Sequence, residues 1–230
     1  MKISILEFVE GARKARGLAV IIDVFRAFSV ACYASDGGVA KIIVTDEVSK
    51  AFDLRKTYKR VVLVGERDEK RIPGFDLGNS PTEIIKTNLT GMTVIHTTTA
   101  GTNGILNAVN ADMIITGSFV NAAAVAKFIQ QIHPGQVSLV AMGYRASISA
   151  EEDLLCAEYI KSLVTGEKIA FENRISDLRL SSGKRFFQSE NLDFSPPTDY
   201  FLCTMTNRFN FILKAEKRTD GNINLERIDV

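Results

Sequence analysis

The sequence predicts an α/β protein with three layers, α/β/α, around a mostly parallel, mixed sheet that gains antiparallel strands toward the C-terminus. Two observations predict this fold class. Short apolar, β-branched runs alternate with segments of helical spacing, which is typical of parallel strands joined by crossover helices. Toward the C-terminus, two extended segments flank Asp220-Gly221, a turn dipeptide that joins antiparallel strands. No linker or internal repeat interrupts the chain, so residues 1–230 are predicted to form a single domain.

Six apolar runs are predicted to be strands buried on both faces, because each is apolar and bounded by Gly, Asp, Thr or Asn. They are residues 19–22, 41–44, 61–64, 92–95, 113–115 and 137–140. Helices are expected between them. Residues 119–129 and 155–163 repeat apolar side chains at the spacing of one helix face.

The chain changes character after Gly166. Residues 171–185 are polar and expected to be helical, and Ser195-Pro196-Pro197 then breaks the chain. Residues 209–216 and 222–230 are expected to form the antiparallel pair of strands.

Composition excludes several classes of protein. The chain has 28 Lys and Arg against 27 Asp and Glu, so its net charge of +1 argues against a nucleic-acid partner, which usually needs a basic face. The 46% apolar fraction is that of a folded globular protein. Cys32, Cys156 and Cys203 are too widely spaced for a disulfide framework or a zinc knuckle, and we expect them in the core. Without a signal peptide in residues 1–10 or a run of about 20 apolar residues, a cytoplasmic location and no membrane contact are expected.

Ligands of open parallel sheets bind beyond the carboxyl ends of the strands, so the residues after each apolar run are the candidates for chemistry. Asp23 follows the first run, and a carboxylate there is a natural Mg²⁺ ligand. Arg26 is placed to clamp a phosphate or carboxylate. The structural alternative is that Asp23 only caps the helix that follows.

The third run ends in Gly65-Glu66-Arg67 and enters a loop that reaches Pro81. A loop of this length inside a compact domain is usually functional or disordered, and its turn-forming residues favour a defined shape. Ser80 also fits a structural role as a helix N-cap, with Glu83 completing a capping box. Glu66 and Arg67 are therefore the stronger functional candidates.

Two further strand ends carry polar clusters. Thr98-Thr99-Ala100-Gly101-Thr102 offers hydroxyls and close backbone N–H groups to an anion, or forms only a Thr-rich turn with an N-cap. It lacks the Gly-Lys-Ser/Thr of a P-loop, which argues against an NTPase. The sixth run leads through Arg145 to Glu151-Glu152-Asp153, which either completes a divalent-metal site or caps a helix through Ser149 and Glu152.

Together these segments resemble the 2-phosphosulfolactate phosphatase (ComB-like) family, in the order that the family has them, over about residues 18–155. The segments that carry the resemblance are Asp23-Val24-Phe25-Arg26-Ala27, Gly65-Glu66-Arg67, Gly74-Phe75-Asp76-Leu77-Gly78-Asn79-Ser80-Pro81, Thr98-Thr99-Ala100-Gly101-Thr102 and Glu152-Asp153. The resemblance implies an α/β/α fold and a Mg²⁺-dependent phosphatase. Its reaction would hydrolyse (2R)-2-phospho-3-sulfolactate to 3-sulfolactate and phosphate, a step toward coenzyme M.

A set of roles follows from this resemblance as a hypothesis. Mg²⁺ is held by Asp23, Glu66 and one of Glu152 and Asp153. The catalytic group is Asp23, Arg26, Glu66 and Arg67, and substrate is bound by Asn79, Ser80, Thr98, Thr99, Gly101, Thr102 and Arg145. Whether a side chain becomes phosphorylated stays open, with Asp23 the first candidate nucleophile and Ser80 the second.

Two other functions stay open beside it. One is a phosphatase that acts on another small phosphorylated hydroxy acid, and the other is a non-catalytic anion-binding protein on the same scaffold. The expected partner is a small phosphorylated, sulfonated acid, with no nucleic acid and no membrane. A homodimer is the oligomeric state considered for the chain.

Overall fold

The computed structural model describes residues 1–230, which form one ten-stranded sheet with helices packed around it. The strands are β1 (Lys2–Glu7), β2 (Leu18–Ile22), β3 (Lys41–Val44), β4 (Val61–Arg67), β5 (Lys70–Arg71), β6 (Thr93–Thr97), β7 (Met113–Gly117), β8 (Gln136–Ala141), β9 (Phe211–Lys217) and β10 (Ile223–Asp229). The helices are α1 (Phe8–Lys14), α2 (Ala27–Asp36), α3 (Val48–Thr57), α4 (Pro81–Lys86), α5 (Gly101–Asn107), α6 (Ala122–Ile132), α7 (Glu151–Thr165), α8 (Phe171–Asp177) and α9 (Pro197–Thr204). None of these helices is long and apolar enough to cross a bilayer.

The sheet has the order β1-β8-β2-β7-β9-β10-β3-β6-β4-β5. The pairs within β1-β8-β2-β7 and within β3-β6-β4 are parallel, whereas β9 and β10 pair antiparallel with each other and with their neighbours. The predicted fold class is confirmed, and each of the six apolar runs coincides with a strand, except that Met92 precedes β6. Strands β1 and β5 were not predicted. Neither was the position of the C-terminal hairpin, which lies in the middle of the sheet between two parallel blocks.

This central hairpin decides where the strand ends meet. Three antiparallel pairings separate β7 from β3, so in a flat sheet the carboxyl ends of β2 and β6 would lie at opposite edges. Five steps separate these two strands, and a twist of about 20–25° per step adds up to roughly 100–125°. In the structure the two strand ends are in contact: a Cβ on Gly101, after β6, would lie 3.0 Å from Asp23 Oδ2, after β2.

Strand β2 shows why the layers hold together. Its five residues are all buried, and they alternate between two hydrophobic cores on opposite faces of the sheet. Ala19 and Ile21 pack in one core, while Leu18, Val20 and Ile22 pack in the other. A strand apolar on both faces therefore has a helix layer over each face, as its sequence predicts. The three cysteines are free and buried, which confirms their expected place in the core.

The expectation of one helix over residues 171–185 is wrong. Helix α8 ends at Asp177, and residues 182–187 form a separate 3₁₀ turn. The chain turns because the Gly183 amide donates a hydrogen bond of 2.7 Å to the Leu178 carbonyl. A Cβ at this position would lie 2.5 Å from the ring of Tyr200, so only glycine allows the turn to pack against α9. This turn places Arg185 at the carboxyl ends of the strands.

Candidate active site

The turns after β2, β4, β6 and β8 surround a small cavity of about 40 Å³, which we call the inner cavity. At roughly 10–15 Å³ per water molecule, it has room for about three waters. Its lining residues are Asp23, Phe25, Arg26, Glu66, Asp68, Glu69, Asn79, Thr99, Ala100, Gly143, Tyr144, Arg145 and Arg185. Six of the residues predicted from the sequence line it: Asp23, Arg26, Glu66, Asn79, Thr99 and Arg145.

Asp23 lies at the base of this cavity, directly after β2, and is 6% exposed. Its Oδ1 accepts a hydrogen bond of 3.1 Å from the Ala27 amide, the first of α2, although the N-cap residue of that helix is Arg26. Burial, with a smaller contribution from the nearby carboxylates of Glu66 and Glu152, raises the pKa of Asp23 to about 7. Near neutral pH this side chain can therefore hold or release a proton.

Glu66 connects three segments of the site. Its Oε1 accepts a hydrogen bond of 2.7 Å from the Thr99 amide, and its Oε2 accepts one of 2.9 Å from the Glu69 amide. These bonds tie the end of β4 to the turn after β6 and to the tip of the β4–β5 hairpin. Each carboxylate oxygen has two lone pairs, so both oxygens retain capacity for another ligand.

Asp153 is not on the cavity wall and holds two loops together instead. Its Oδ1 accepts from the Val24 amide and its Oδ2 from the Gly143 amide, each at 2.8 Å. These bonds join the turn after β2 to the turn after β8. Burial raises its pKa well above the ordinary value, and Glu152 and Asp23 act in the same direction. Asp153 thus fixes the position of the turn that carries Asp23.

Glu152 lies one residue earlier on α7 and is 3% exposed. Its Oε1 is 4.0 Å from Arg185 Nη2, and its buried Oε2 has no hydrogen-bond partner. Burial raises the pKa of Glu152, while Arg185 opposes that rise. The capping box predicted for Ser149 and Glu152 is wrong: α7 begins after Ala150 without a side-chain cap, because the Ser149 hydroxyl donates to Glu7 Oε1.

Arg26 lines the cavity, yet its guanidinium is already engaged. Nη1 donates to Asp199 Oδ2 at 2.7 Å and to the Phe194 carbonyl at 2.6 Å, and Nη2 donates to the Glu69 carbonyl at 3.2 Å. Asp199 has no exposed surface and also accepts from the Ser80 hydroxyl at 2.8 Å. No sequence pattern identified Asp199, because it lies 173 residues from its partner, beyond the chain-breaking prolines.

Ser80 does not line the cavity and has a structural place. Its side chain accepts a hydrogen bond from the Glu83 amide, which confirms the predicted N-cap of α4. The reciprocal half of the capping box is absent, because Glu83 Oε2 accepts from the Gly78 amide instead. Beside it, Asn79 faces the cavity, and its Oδ1 lies 3.1 Å from Nε2 of the buried His96.

In the Thr-rich turn after β6, some side chains are buried in the protein and others line the cavity. Thr98 and Thr102 are fully buried and bond to each other, with the Thr102 amide 3.2 Å from the Thr98 hydroxyl. Thr99 lines the cavity, while Gly101 packs against α2, where a Cβ would lie 2.8 Å from the Cβ of Ala27. Of the predicted phosphate cradle, only Thr99 faces the cavity.

Of the two remaining arginines predicted from the sequence, Arg145 lines the cavity and Arg67 does not. Arg67 lies off the cavity and donates a hydrogen bond of 2.9 Å to its neighbouring Glu66 carbonyl. Arg145 lines the cavity, half-exposed, and pairs with Asp68 at 2.8 Å. Arg185 also lines it and lies 3.1 Å from Glu69, although the sequence predicted only a polar helix there. Its role is visible only once residues 171–185 are known to turn.

The charges around the cavity are not balanced. Arg145 and Arg185 are matched by Asp68 and Glu69, and Arg26 is matched by Asp199. Asp23 and Glu66 are left without a cationic partner. In this conformation no three His, Cys, Asp or Glu side chains are arranged to hold a metal ion. A phosphate dianion entering this cavity therefore needs an accompanying cation.

Comparison with known proteins identifies the family of this chain. A family model described as 2-phosphosulpholactate phosphatase matches residues 4–193. A Bacillus subtilis protein named probable 2-phosphosulfolactate phosphatase is 33% identical over 214 residues, 91% of this chain and 91% of that protein. A protein of the same name from Caldanaerobacter subterraneus is 31% identical, over 86% of this chain and 87% of its own length.

A third relative with that name, from Carboxydothermus hydrogenoformans, is 38% identical over 73% of this chain and 69% of its own length. The family model spans nearly the whole region that supplies the cavity, from β1 through the turn carrying Arg185. The resemblance predicted from the motifs is confirmed: the chain belongs to the 2-phosphosulpholactate phosphatase family, a family of phosphoric monoester hydrolases.

Proposed function

We propose that this protein is a Mg²⁺-dependent phosphatase that hydrolyses (2R)-2-phospho-3-sulfolactate to 3-sulfolactate and phosphate, as in coenzyme M formation. The observation that carries the proposal is the pair of buried, unmatched carboxylates, Asp23 and Glu66, at the strand ends of a member of this family. Burying a carboxylate without a cation is costly, so a ligand that supplies positive charge is the simplest reason for the arrangement.

The donor set fits Mg²⁺ in kind. Asp23, Glu66 and Glu152 offer carboxylate oxygens, which this hard cation prefers, and Glu152 Oε2 is buried without a partner. Mg²⁺ usually keeps several waters and takes only one or two protein carboxylates, so the three side chains need not converge on one point. When bound, the ion would neutralise the phosphate and lower the pKa of a bound water.

The protein's own side chains contribute protons and orientation. Without the ion, Asp23 has a pKa of about 7, so near neutral pH the binding of Mg²⁺ would displace a proton from this carboxylate. Glu66 holds Thr99 and the β4–β5 hairpin through two amides, which fixes one wall of the cavity. Asn79 also lines the cavity, and because its amide oxygen bonds to His96, its amide nitrogen is free to donate to a substrate oxygen.

The test is phosphate release from a panel of esters by protein stripped of metal with EDTA. We expect release from 2-phosphosulfolactate with the highest kcat/KM of the panel, a requirement for added Mg²⁺, and slower release from 2-phospholactate and glycerol 2-phosphate. Glu66→Gln is expected to lower kcat/KM on the order of 100-fold. Glu10→Gln is the control, since Glu10 is an exposed side chain on α1 that pairs only with Lys14.

Three outcomes would contradict the proposal. Full activity in EDTA would exclude the metal, and equal activity on 2-phospholactate would exclude the sulfonated substrate. Calorimetric binding of the esters with no phosphate release would identify a non-catalytic anion-binding protein instead.

A further inference from the structure

We propose that Arg185 binds the second acidic group of the substrate, in a cavity next to the inner one, and thereby selects phosphate monoesters that carry a carboxylate or sulfonate close to the ester carbon. The inference rests on the proposed function for the identity of the ester, but its argument comes from the residues around Arg185.

The inner cavity is too small for a whole substrate. Its volume of about 40 Å³ has room for a few water-sized groups, which suits a phosphoryl group and little more. A second cavity of about 400 Å³, which we call the outer cavity, adjoins it and shares the wall formed by Glu69, Tyr144 and Arg185. A substrate whose phosphate lies in the inner cavity would therefore extend its remaining groups past Arg185.

Arg185 is held in one orientation before any ligand arrives. Its guanidinium carbon lies 5.2 Å from the ring centre of Tyr144 and 5.3 Å from that of Phe186. Its Nη2 donates a hydrogen bond of 3.1 Å to the Phe25 carbonyl. A guanidinium fixed by rings and a carbonyl presents its remaining N–H edge with little entropy to lose, and that planar edge matches a carboxylate or sulfonate.

The outer cavity also contains an unusual share of unsatisfied polar atoms. Eight buried side-chain polar atoms in the chain lack a hydrogen-bond partner, and three of them belong to residues that line this cavity. They are Glu152 Oε2, Ser182 Oγ and Arg185 Nε. Glu152 Oε2 is an acceptor, and Ser182 is placed to hydrogen-bond to the Glu152 carboxylate. Arg185 Nε is therefore the unsatisfied donor at this cavity that an acidic ligand can complete.

Glu69 occupies the place on Arg185 that the substrate's acid would take. Its Oε1 lies 3.1 Å from Arg185 Nε, yet the N–H is not aligned for a hydrogen bond. Both side chains are mostly buried, at 20% and 18% exposed, and what weakens the pair is the misaligned N–H rather than exposure to solvent. An incoming carboxylate or sulfonate can replace Glu69 and make the aligned contact that Glu69 does not.

The first experiment compares two esters that differ only in the acid. In 2-phospholactate the ester carbon carries a carboxylate, and in isopropyl phosphate a methyl group replaces it. We expect the ratio of their kcat/KM values to fall at least tenfold in Arg185→Gln, and by less in Arg185→Lys, which keeps the charge but not the planar edge. Lys184→Gln is the matched control, because it removes an exposed charge one residue away and should keep the wild-type ratio.

The second experiment measures binding of 3-sulfolactate by calorimetry, without turnover. We expect at least tenfold weaker binding to Arg185→Gln, unchanged binding to Lys184→Gln, and at least threefold tighter binding to Glu69→Gln, which lacks the competing carboxylate. The Glu69 variant keeps Arg185 and its ring contacts, so it tests the inference even if Arg185→Gln does not fold.

The outcomes separate this inference from the proposed function. A wild-type enzyme that releases phosphate while Arg185→Gln keeps both the ester ratio and the affinity would overturn the role of Arg185 alone. Binding of 3-sulfolactate that depends on Arg185, in a protein that releases no phosphate from any ester, would overturn the phosphatase and leave the acid site standing. Unchanged affinity in Glu69→Gln would contradict the displacement of Glu69.

Discussion

Two clusters of buried charge lie on either side of the turn after β2, and they differ in how their charges are matched. The paired cluster consists of Arg26 and Asp199, in contact at 2.7 Å, with Ser80 bonded to the aspartate. The acidic cluster consists of Asp23 and Glu66, which have no cationic partner. The two clusters are similarly buried and share the same loop.

This difference separates the charges that stabilise the fold from the charges that are available to bind a ligand. In a buried, hydrogen-bonded ion pair both groups are already occupied and are not free to act on a substrate. Removing one partner leaves the other charge buried without a counter-charge. An unmatched buried carboxylate weakens the folded protein by itself, so its presence is explained by a cation or a proton that it handles. Strand-end position alone would assign Asp23, Arg26 and Glu66 alike to the active site.

The largest expected effect comes from breaking the paired cluster. Asp199→Asn leaves the Arg26 guanidinium buried without its counter-charge, so we expect a loss of about 3–5 kcal/mol in the free energy of unfolding. Urea denaturation at pH 7 measures it. Asp53→Asn is the control, because Asp53 is 73% exposed and pairs only with Lys56. A loss no larger than that of the control would mean that the pairing does not hold the loop.

A smaller effect is expected where the two strand ends touch. In Gly101→Ala, the added Cβ would lie 2.8 Å from the Cβ of Ala27 and 3.0 Å from Asp23 Oδ2. We expect a destabilisation of about 1–3 kcal/mol from overpacking, and reduced phosphate release because Asp23 moves. Gly135→Ala is the matched control, since no atom lies within 4 Å of its added Cβ. If both variants behave alike in urea and in the phosphate assay, the close approach of β2 and β6 is not required.

The smallest effect concerns acid stability. Burial lowers the pKa of His96 to about 4, below its ordinary value of 6.5, so the folded protein keeps this ring neutral. Between these two pH values His96 is protonated in the unfolded chain but neutral in the folded chain. The contribution of this ring to the free energy of unfolding therefore falls as the pH drops. We expect His96→Gln to remove roughly 1 kcal/mol of the loss in unfolding free energy between pH 7 and pH 5.5. The exposed His133 gives the control, His133→Asn, which should keep the wild-type pH dependence; equal curves for all three proteins would refute it.

Much of the fold could be predicted because its signals are local. Each apolar run matches a strand to within one residue, and Asp220-Gly221 lies in the turn between β9 and β10, since period, β-branching and turn chemistry act over a few residues. The place of that hairpin at the centre of the sheet could not be predicted, because strand order depends on pairings between segments far apart in the sequence. For the same reason, the contact between the carboxyl ends of β2 and β6 could not be predicted.

The site was predictable in part for the same reason. Asp23 and Glu66 follow strands directly, so their place at the cavity follows from the run that precedes them. Arg26 also follows a strand, but its partner Asp199 comes from the far end of the chain, which no spacing reveals. Arg185 was missed because its turn depends on Gly183 fitting against Tyr200, a tertiary contact.

The difference between the two clusters is tested by measuring both the activity and the stability of one variant. Asp23→Asn keeps an oxygen to accept from the Ala27 amide but removes a carboxylate from the acidic cluster. We expect phosphate release from 2-phosphosulfolactate with Mg²⁺ to fall by about 100-fold or more, while the free energy of unfolding at pH 7 stays at or above the wild-type value. Wild-type phosphate release by this variant, or a loss of stability like that of Asp199→Asn, would contradict the assignment of the acidic cluster to catalysis.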